Sequence, residues 1–501
     1  MREVLDVVSQ AYKEGRKIFL YGCGKYGLAI YEWLRLNQLE NNVTAFVETT
    51  KTRAIEPCYK KRIIDLAELL AERKDAFVIL AMNEKNRAEC LPHLCQGGIP
   101  YYIIEKNEMI RITEEVNSVN EGFISEYPAD NKVSGDLKHR ILVVKMDGLG
   151  DVILCTPFLK ALRKHRPDSE ITMLVANNSY ELMKLCPYLD RVLFFDASLY
   201  YVFPLRKKAE IIRNFMRETV GSGYDLTIVP RFDVDFYGAS LMAFFSGAAQ
   251  RVTYSEHSTT DKERANKGYD LLFSNVLYPS GVFHETVRDL HLLEATGVNL
   301  NEEDMRYACE VWEASESKCK IENCGIFDST EGIYVVLGMS AAACKRIWPW
   351  QRFLRLAQMI NESDNLTRII LCGQLANRKE IDNYVDEYGM SDYVFDCLND
   401  TSIMDFVSIM KRSDYYIGND TGLMHIAAAC GKRIIEISCH PQNGNQTREN
   451  SPKRFGAWGC ENIVLSPKQG IDDCVDECEK DYAHCIKEVT VDDVFKAYMT
   501  F

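Results

Sequence analysis

No apolar run in this 501-residue chain approaches the ~18 residues that a membrane span needs. The opening stretch MREVLDVVSQAYKEGRK lacks the apolar core of an export signal, which points to a cytoplasmic protein. Positive charge is in deficit. Lys and Arg number 59 against 73 Asp and Glu, for a net charge of -14. That balance excludes a nucleic-acid partner held by bulk charge and leaves only local basic pockets for phosphates. There is no internal repeat at a solenoid period. Hydrophobic residues make up 47% and charged residues 26%, which excludes a disordered or collagen-like chain. Cysteine, by contrast, is plentiful. The 18 cysteines are scattered through apparent strands and helices, and read as reduced, buried thiols.

At roughly 150 residues per domain the length suggests about three domains. Residues 1–105 alternate strand and helix patterns: strands at 17–22, 41–48, 75–82 and 100–105, helices at 26–37 and 84–96, and a helix suggested by Ile64, Leu66, Leu69 and Leu70. Residues 106–138 are polar and without sustained period, and read as a linker with at most one short helix. A second α/β block runs over 139–325, with strands at 139–146, 171–175, 192–195 and 225–229; its 231–283 region gives no clear pattern. A third block spans 326–501, with strands at 332–338, 367–373, 393–397, 415–420 and 433–438. Strands alternating with helices imply parallel sheets with right-handed crossovers. The expected fold is therefore α/β throughout.

Gly22, Gly24 and Gly27 fit G-x-G-x-x-G between a strand and a helix, and Glu48 ends the next strand where a ribose-binding acid sits. Such glycines let a pyrophosphate approach a helix N-terminus. The same residues also suit a tight turn with no ligand. This block resembles the Rossmann-type accessory modules fused to enzymes of surface-polysaccharide synthesis.

In the second block, the buried strand ILVVKM runs into Asp147-Gly148-Leu149-Gly150-Asp151, and a helix follows. Asp151 lies at the strand-end edge where ligands collect in open α/β sheets. An Asp there serves either as a helix cap or as a catalytic carboxylate. Gly148 and Gly150 clear space around it. In the third block, a strand ends in Gly418-Asn419-Asp420-Thr421-Gly422, and a helix of small residues begins. Its N–H groups at 421–423 are expected to face a diphosphate, with His425 one turn in. Lys345, beside Arg346, follows a small-residue loop and suits an anion. Gly373 and Glu380, after the next strand, are weaker candidates for ribose. Asp233-Val234-Asp235 has the spacing of a metal-diphosphate motif but lies away from this set, so no metal is expected there. Cys460, Cys474, Cys478 and Cys485 form a looser series than paired C-x2-C zinc ligands. They read as buried thiols, with a structural metal as the second reading.

The segments VVKMDGLGDVILCTPFLKALRKHRP, HETVRDLHLLEATGV, KRIWPWQRF, LCG and NDTGLMHIAAACGK, in that order, resemble glycosyltransferase family 9, the ADP-heptose:lipopolysaccharide heptosyltransferases. The resemblance covers about residues 139–498. It implies a GT-B fold, with the acceptor on the first Rossmann-like half and the nucleotide sugar on the second. It implies Asp151 as general base, Lys345 on phosphate, and Asp420, Thr421, Gly422 and His425 in the donor turn. Gly338-Met339-Ser340 stands where the family commonly has His-Pro-Gly, and an extra Ile347 separates Lys-Arg from Trp-Pro. The implied reaction is inverting transfer of a heptose-like sugar from an ADP-sugar, without a required cofactor, to a glycan, lipid-linked or protein acceptor. The implied place is the cytosolic side of surface-glycan assembly, with peripheral membrane association. Two rivals stand beside it: an NAD(P)-dependent oxidoreductase built on the N-terminal glycines, and a non-catalytic sugar-nucleotide-binding scaffold.

Overall fold

The computed structural model describes residues 2–22, 25–49, 61–82, 84–125, 139–196, 205–279, 281–313, 326–327, 332–475 and 482–501. Gly24 and Cys478 lie outside these. The chain forms two compact units. The first comprises Met1–Ser134, Asp196–Asp225 and Arg231–Tyr278; the second comprises Gly135–Phe195, Leu226–Pro230 and Pro279–Phe501. Residues 139–325, expected as one block, contribute to both units.

In the first unit, strands β1 (Lys17–Tyr21), β2 (Val43–Glu48), β3 (Arg62–Asp65), β4 (Ala76–Leu80) and β5 (Tyr101–Ile103) form a parallel sheet in the order β3-β2-β1-β4-β5. KIFLY and AFVIL are near-continuous apolar runs, as parallel strands covered on both faces must be. Ile64, expected in a helix, belongs to β3 instead. The helix begins only at Leu66, because Asp65 accepts from Glu68 N at 2.9 Å while Glu68 accepts from Asp65 N at 2.9 Å.

The expected 106–138 linker is also different. A helix spans Lys106–Ser125. It buries Ile112, and Glu115 accepts from Trp33 Nε1 at 2.7 Å. It packs on the helices Lys25–Leu36 and Leu205–Phe215 and on the turn Tyr269–Leu272. Those tertiary partners, remote in sequence, supply the stability that its weak periodicity does not advertise.

The second unit holds β6 (Arg140–Lys145), β7 (Glu170–Ala176), β8 (Arg191–Phe195) and β9 (Leu226–Val229), with β6 between β9 and β7 and β8 outside β7. Strands β10 (Gln250–Tyr254) and β11 (Asn275–Leu277) pair in the first unit, within the stretch that gave no clear pattern. The second unit continues with β12 (Tyr334–Gly338), β13 (Arg368–Cys372), β14 (Val394–Asp396), β15 (Tyr415–Asn419), β16 (Arg433–Ile437) and β17 (Asn462–Leu465), all parallel, in the order β14-β13-β12-β15-β16-β17. One apolar cluster of this unit joins Ile153 and Leu154 to Met424, Ile426 and Ala427. No helix among the described residues is long and apolar enough to cross a membrane.

Candidate functional site

β6 delivers its chain to a helix, Leu149–Leu154, whose N-cap is Gly148. Asp151 is therefore the third residue of that helix, not its cap, and the capping alternative drops out. Its charge lies in the first turn, where the helix dipole favours an anion. Asp151 is half-buried, and a Cβ on Gly148 would stand 3.4 Å from its Oδ2.

Behind this turn lies a buried charged network that sequence reasoning missed. Lys145, the last residue of β6, donates to Pro230 O at 2.5 Å and lies 3.4 Å from both Asp147 and Asp289. Burial opposes its charge, but Asp289, Asp147 and, more weakly, Asp151 together hold the ammonium above its ordinary range. Burial likewise pushes the Asp289 carboxyl up to about 7, against the pull of Lys145. The only local signal was a lysine ending an apolar strand.

β15 delivers the opposing turn. Thr421 caps the helix Gly422–Ala429, and its Oγ1 accepts from Leu423 N at 3.1 Å. Of the three N–H groups expected to face a diphosphate, that of Leu423 is thus already engaged. Gly431, at φ +71°, closes the far end in the left-handed region. His425 is buried, and its Nδ1 makes no hydrogen bond among the described residues. Burial, then His284 and Arg346, pull its pKa down to about 3. His425 is neutral at ordinary pH.

The two turns meet. The helix Leu149–Leu154 packs on the helix Gly422–Ala429. A Cβ on Gly150 would fall 2.6 Å from His425 Cδ2, and one on Gly422 would fall 3.3 Å from Leu149. Glycine at 150 is what admits the imidazole edge to the residue before Asp151.

Lys345 is half-buried in the turn Cys344–Arg346, at the end of the loop that follows β12. Its neighbour Arg346 reaches Asp420, Nη1 to Oδ2 at 3.5 Å. A carboxylate would repel a diphosphate, so Asp420 acts here by anchoring a cation. Burial raises the Asp420 pKa, and Arg346 works against that rise. Asn419, also missed, ties the same loop down: its Oδ1 accepts from Trp348 N at 2.9 Å. The loop approaches β13 closely. A Cβ on Gly373, at φ +130°, would fall 2.6 Å from Ser340 Oγ. Gly373 thus makes room for protein. Glu380 is exposed in the first turn of the helix Arg378–Glu387, and no hydrogen bond or ion pair joins it to the others among the described residues.

Further contacts join the segment 284–289 to 447–458. His284 Nε2 donates to Gly456 O at 3.0 Å, and its ring stacks on Trp458 at 4.5 Å. Burial holds its pKa down at about 4. Arg454, fully buried, donates through Nε and Nη2 to Glu285 at 2.8 and 2.7 Å. Asp235 accepts from the N–H groups of Gly238, Ala239 and Ser240, which gives it a helix-capping role. Among the cysteines, Cys474 and Cys485 lie together beside His484, while Cys460 belongs to another cluster.

In the first unit, Gly22 takes φ +111° at the end of β1, and a Cβ on Gly27 would fall 1.7 Å from Gly22 O. Glu48 ends β2, and its Oε2 is buried without a hydrogen-bond partner among the described residues.

Two parallel α/β sheets, one ending in an acid-bearing turn and the other in a helix N-terminus that packs against it, form paired Rossmann-like halves, the GT-B arrangement. The family model for glycosyltransferase family 9 (heptosyltransferase) matches residues 215–470, half of the chain, and the chain belongs to that family. Asp151 and Lys145 precede the matched span. Lipopolysaccharide heptosyltransferase 1 of Campylobacter coli is 23% identical over 307 residues, covering 60% of this chain and 83% of that protein. A family 9 glycosyl transferase from Veillonella parvula superposes with a TM-score of 0.58 at 19% identity, covering 73% of this chain and 98% of the other. The E. coli heptosyltransferase WaaC with ADP superposes with a TM-score of 0.51 at 17% identity, covering 72% and 99%. These likenesses establish the fold.

Proposed function

We propose that this glycosyltransferase moves a heptose-like sugar from an ADP-sugar to a hydroxyl of a cell-surface glycan or lipid-linked acceptor, with inversion at the anomeric carbon. The observation that carries the reading is the contact of Gly150 with His425, which sets Asp151 one residue from the donor turn. An acceptor hydroxyl is a poor nucleophile until a positioned carboxylate takes its proton. Asp151 accepts that proton as the hydroxyl oxygen bonds to the anomeric carbon. The carbon–oxygen bond to the diphosphate breaks, and the electron pair leaves with ADP. Lys345 and Arg346 meet the charge that develops there, together with the N–H groups of Thr421 and Gly422. Neutral His425 serves as a hydrogen-bonding partner without adding charge. The ADP carried by the E. coli heptosyltransferase WaaC supports the choice of nucleotide. The work place is the cytosolic side of surface-glycan assembly, with peripheral attachment to the membrane.

The test incubates purified protein with a panel of nucleotide sugars and measures binding and release of nucleoside diphosphate. Tight binding of an ADP-sugar with slow hydrolysis, lost in Lys345→Ala and His425→Ala, is the expected result. Binding without any turnover, acceptor included, would make the chain a scaffold. A preference for NAD over every sugar nucleotide would overturn the proposal.

A further inference from the structure

Among the described residues, one group of three potential metal ligands has all its donor atoms within 4.8 Å of one another: Cys474, His484 and Cys485. Both thiols are buried and the imidazole is half-buried. Either ring nitrogen of His484 lies 3.9 Å from Cys474 Sγ, and Nδ1 lies 3.0 Å from Cys485 Sγ. Bond lengths of ~2.3 Å to sulfur and ~2.1 Å to nitrogen give a tetrahedral zinc site edges of roughly 3.5–3.8 Å. The 3.9 Å separations lie just outside that range, and Nδ1, which accepts from Cys485 N at 2.6 Å, leaves Nε2 as the nitrogen to turn toward a cation. A second observation concerns the sulfur itself. The Ile471 N–H donates to Cys485 Sγ at 3.3 Å, the kind of outer hydrogen bond that stabilises a metal-bound thiolate.

The ligands sit on two short 3-10 turns, Asp472–Val475 and Cys485–Glu488. Such turns have few hydrogen bonds of their own to hold buried polar groups together. Thiolate and imidazole without carboxylate favour zinc or iron over calcium or magnesium.

We propose that Cys474, His484 and Cys485 hold one structural divalent cation of the zinc class. Both thiols release their protons on binding. The turn Cys485–Glu488 packs against Cys344–Arg346, the turn that carries Lys345. The carbonyls just beyond it continue the brace. Lys487 O and Val489 O accept from Arg352 Nη1 at 2.6 and 2.8 Å, and Val489 O also accepts from Trp348 Nε1 at 2.8 Å. The cation thus backs the cationic turn of the donor half, at a distance from the reacting atoms.

The experiment measures metal in full-length protein purified without a polyhistidine tag. Elemental analysis is expected to find about one zinc or iron per chain, falling below about a tenth in the Cys474→Ser and Cys485→Ser variants. Cys95→Ser, an exposed thiol in the first unit, should leave the content unchanged. Should the serine variants fail to fold, titration of the wild-type protein with a mercurial is read by a chromogenic chelator. Metal release in step with thiol modification supports the site. Metal-free protein isolated from zinc-supplied cells, or full metal content in the Cys474→Ser/Cys485→Ser double variant, overturns it. None of these readouts depends on which sugar is transferred.

Discussion

The turn at Gly22–Gly27 in the first unit and the turn at Gly148–Asp151 in the second use one backbone device. Each follows a buried parallel strand, opens a helix, and contains a glycine that no other residue could replace without a clash. The purposes differ. A Cβ on Gly27 would strike Gly22 O, so that glycine closes the turn on itself. A Cβ on Gly150 would strike His425, so that glycine admits another segment of the chain. The charges differ too. Beside the first turn stands Glu48, with one buried oxygen that has no hydrogen-bond partner among the described residues; behind the second stand Lys145, Asp147 and Asp289. A glycine motif marks where the backbone must come close. What the closeness serves is decided by the charged side chains that the fold gathers around it.

The sharpest break in this comparison is Asp151→Asn. Loss of the base should lower turnover by about 10²–10⁴-fold with the melting temperature little changed, read as nucleoside diphosphate released in the presence of acceptor. Turnover within a few-fold of wild type would remove Asp151 from the chemistry. Lys345→Ala comes next. Losing a charged contact of about 1.5–3 kcal/mol to the diphosphate should raise the donor KM roughly 10- to 100-fold. A fall in kcat at unchanged KM would instead place Lys345 on the transition state alone.

Acid should weaken the second unit through its buried imidazoles. His425 in the folded protein has a pKa of about 3, against 6.5 for the exposed group. Between those values the unfolded chain binds a proton that the folded chain refuses. The stabilisation is therefore complete above pH 6.5 and is lost as pH falls toward 3, at up to about 1.4 kcal/mol per pH unit. Denaturant unfolding of wild type against His425→Gln between pH 7 and pH 4.5 isolates this slope. The opposing contribution of Asp289, whose folded pKa is raised to about 7, is present in both proteins and cancels in the difference. Parallel curves for the two proteins would contradict a buried, neutral His425.

Apolar β-branched runs made most of the central strands legible. KIFLY, RILVVK, YVVLG and RIIEI all fall within two residues of the strands expected. β11 and β17 escaped because they are short and partly exposed, and so carry no continuous apolar run. In the site, the residues read from local turns came together: Asp151 and His425 through Gly150, Lys345 and Asp420 through Arg346. The residues missed are those whose partners are distant in sequence. Arg454 finds Glu285 across 169 positions, and Lys145, at the end of β6, finds Asp289 in the middle of the helix Glu285–Glu294. A buried charge has no periodicity; its only sequence mark is a charged residue inside an apolar stretch, as in RIIEI, where Glu436 is fully buried. Gly373, at the end of its strand, takes a positive φ, and its lack of a side chain lets Ser340 approach.

The smallest expected effect is the most discriminating for the comparison. If the first turn plays no part in sugar transfer, Glu48→Gln should leave kcat and both KM values within about twofold, the usual consequence of a change of no more than ~0.5 kcal/mol. Its unpaired Oε2 makes the substitution gentle on the fold, because an amide nitrogen replaces an oxygen that accepts no hydrogen bond among the described residues. Nucleotide binding by the first unit, if present, should nevertheless change, since an acid at this position selects ribose hydroxyls. Isothermal titration of wild type and Glu48→Gln with NAD separates the cases. Unaltered transfer with weakened nucleotide binding would give the two turns separate ligands. Unaltered transfer with no binding in either protein would leave the first turn as a strand-to-helix connection alone. Transfer reduced tenfold would mean that the two turns share one function after all.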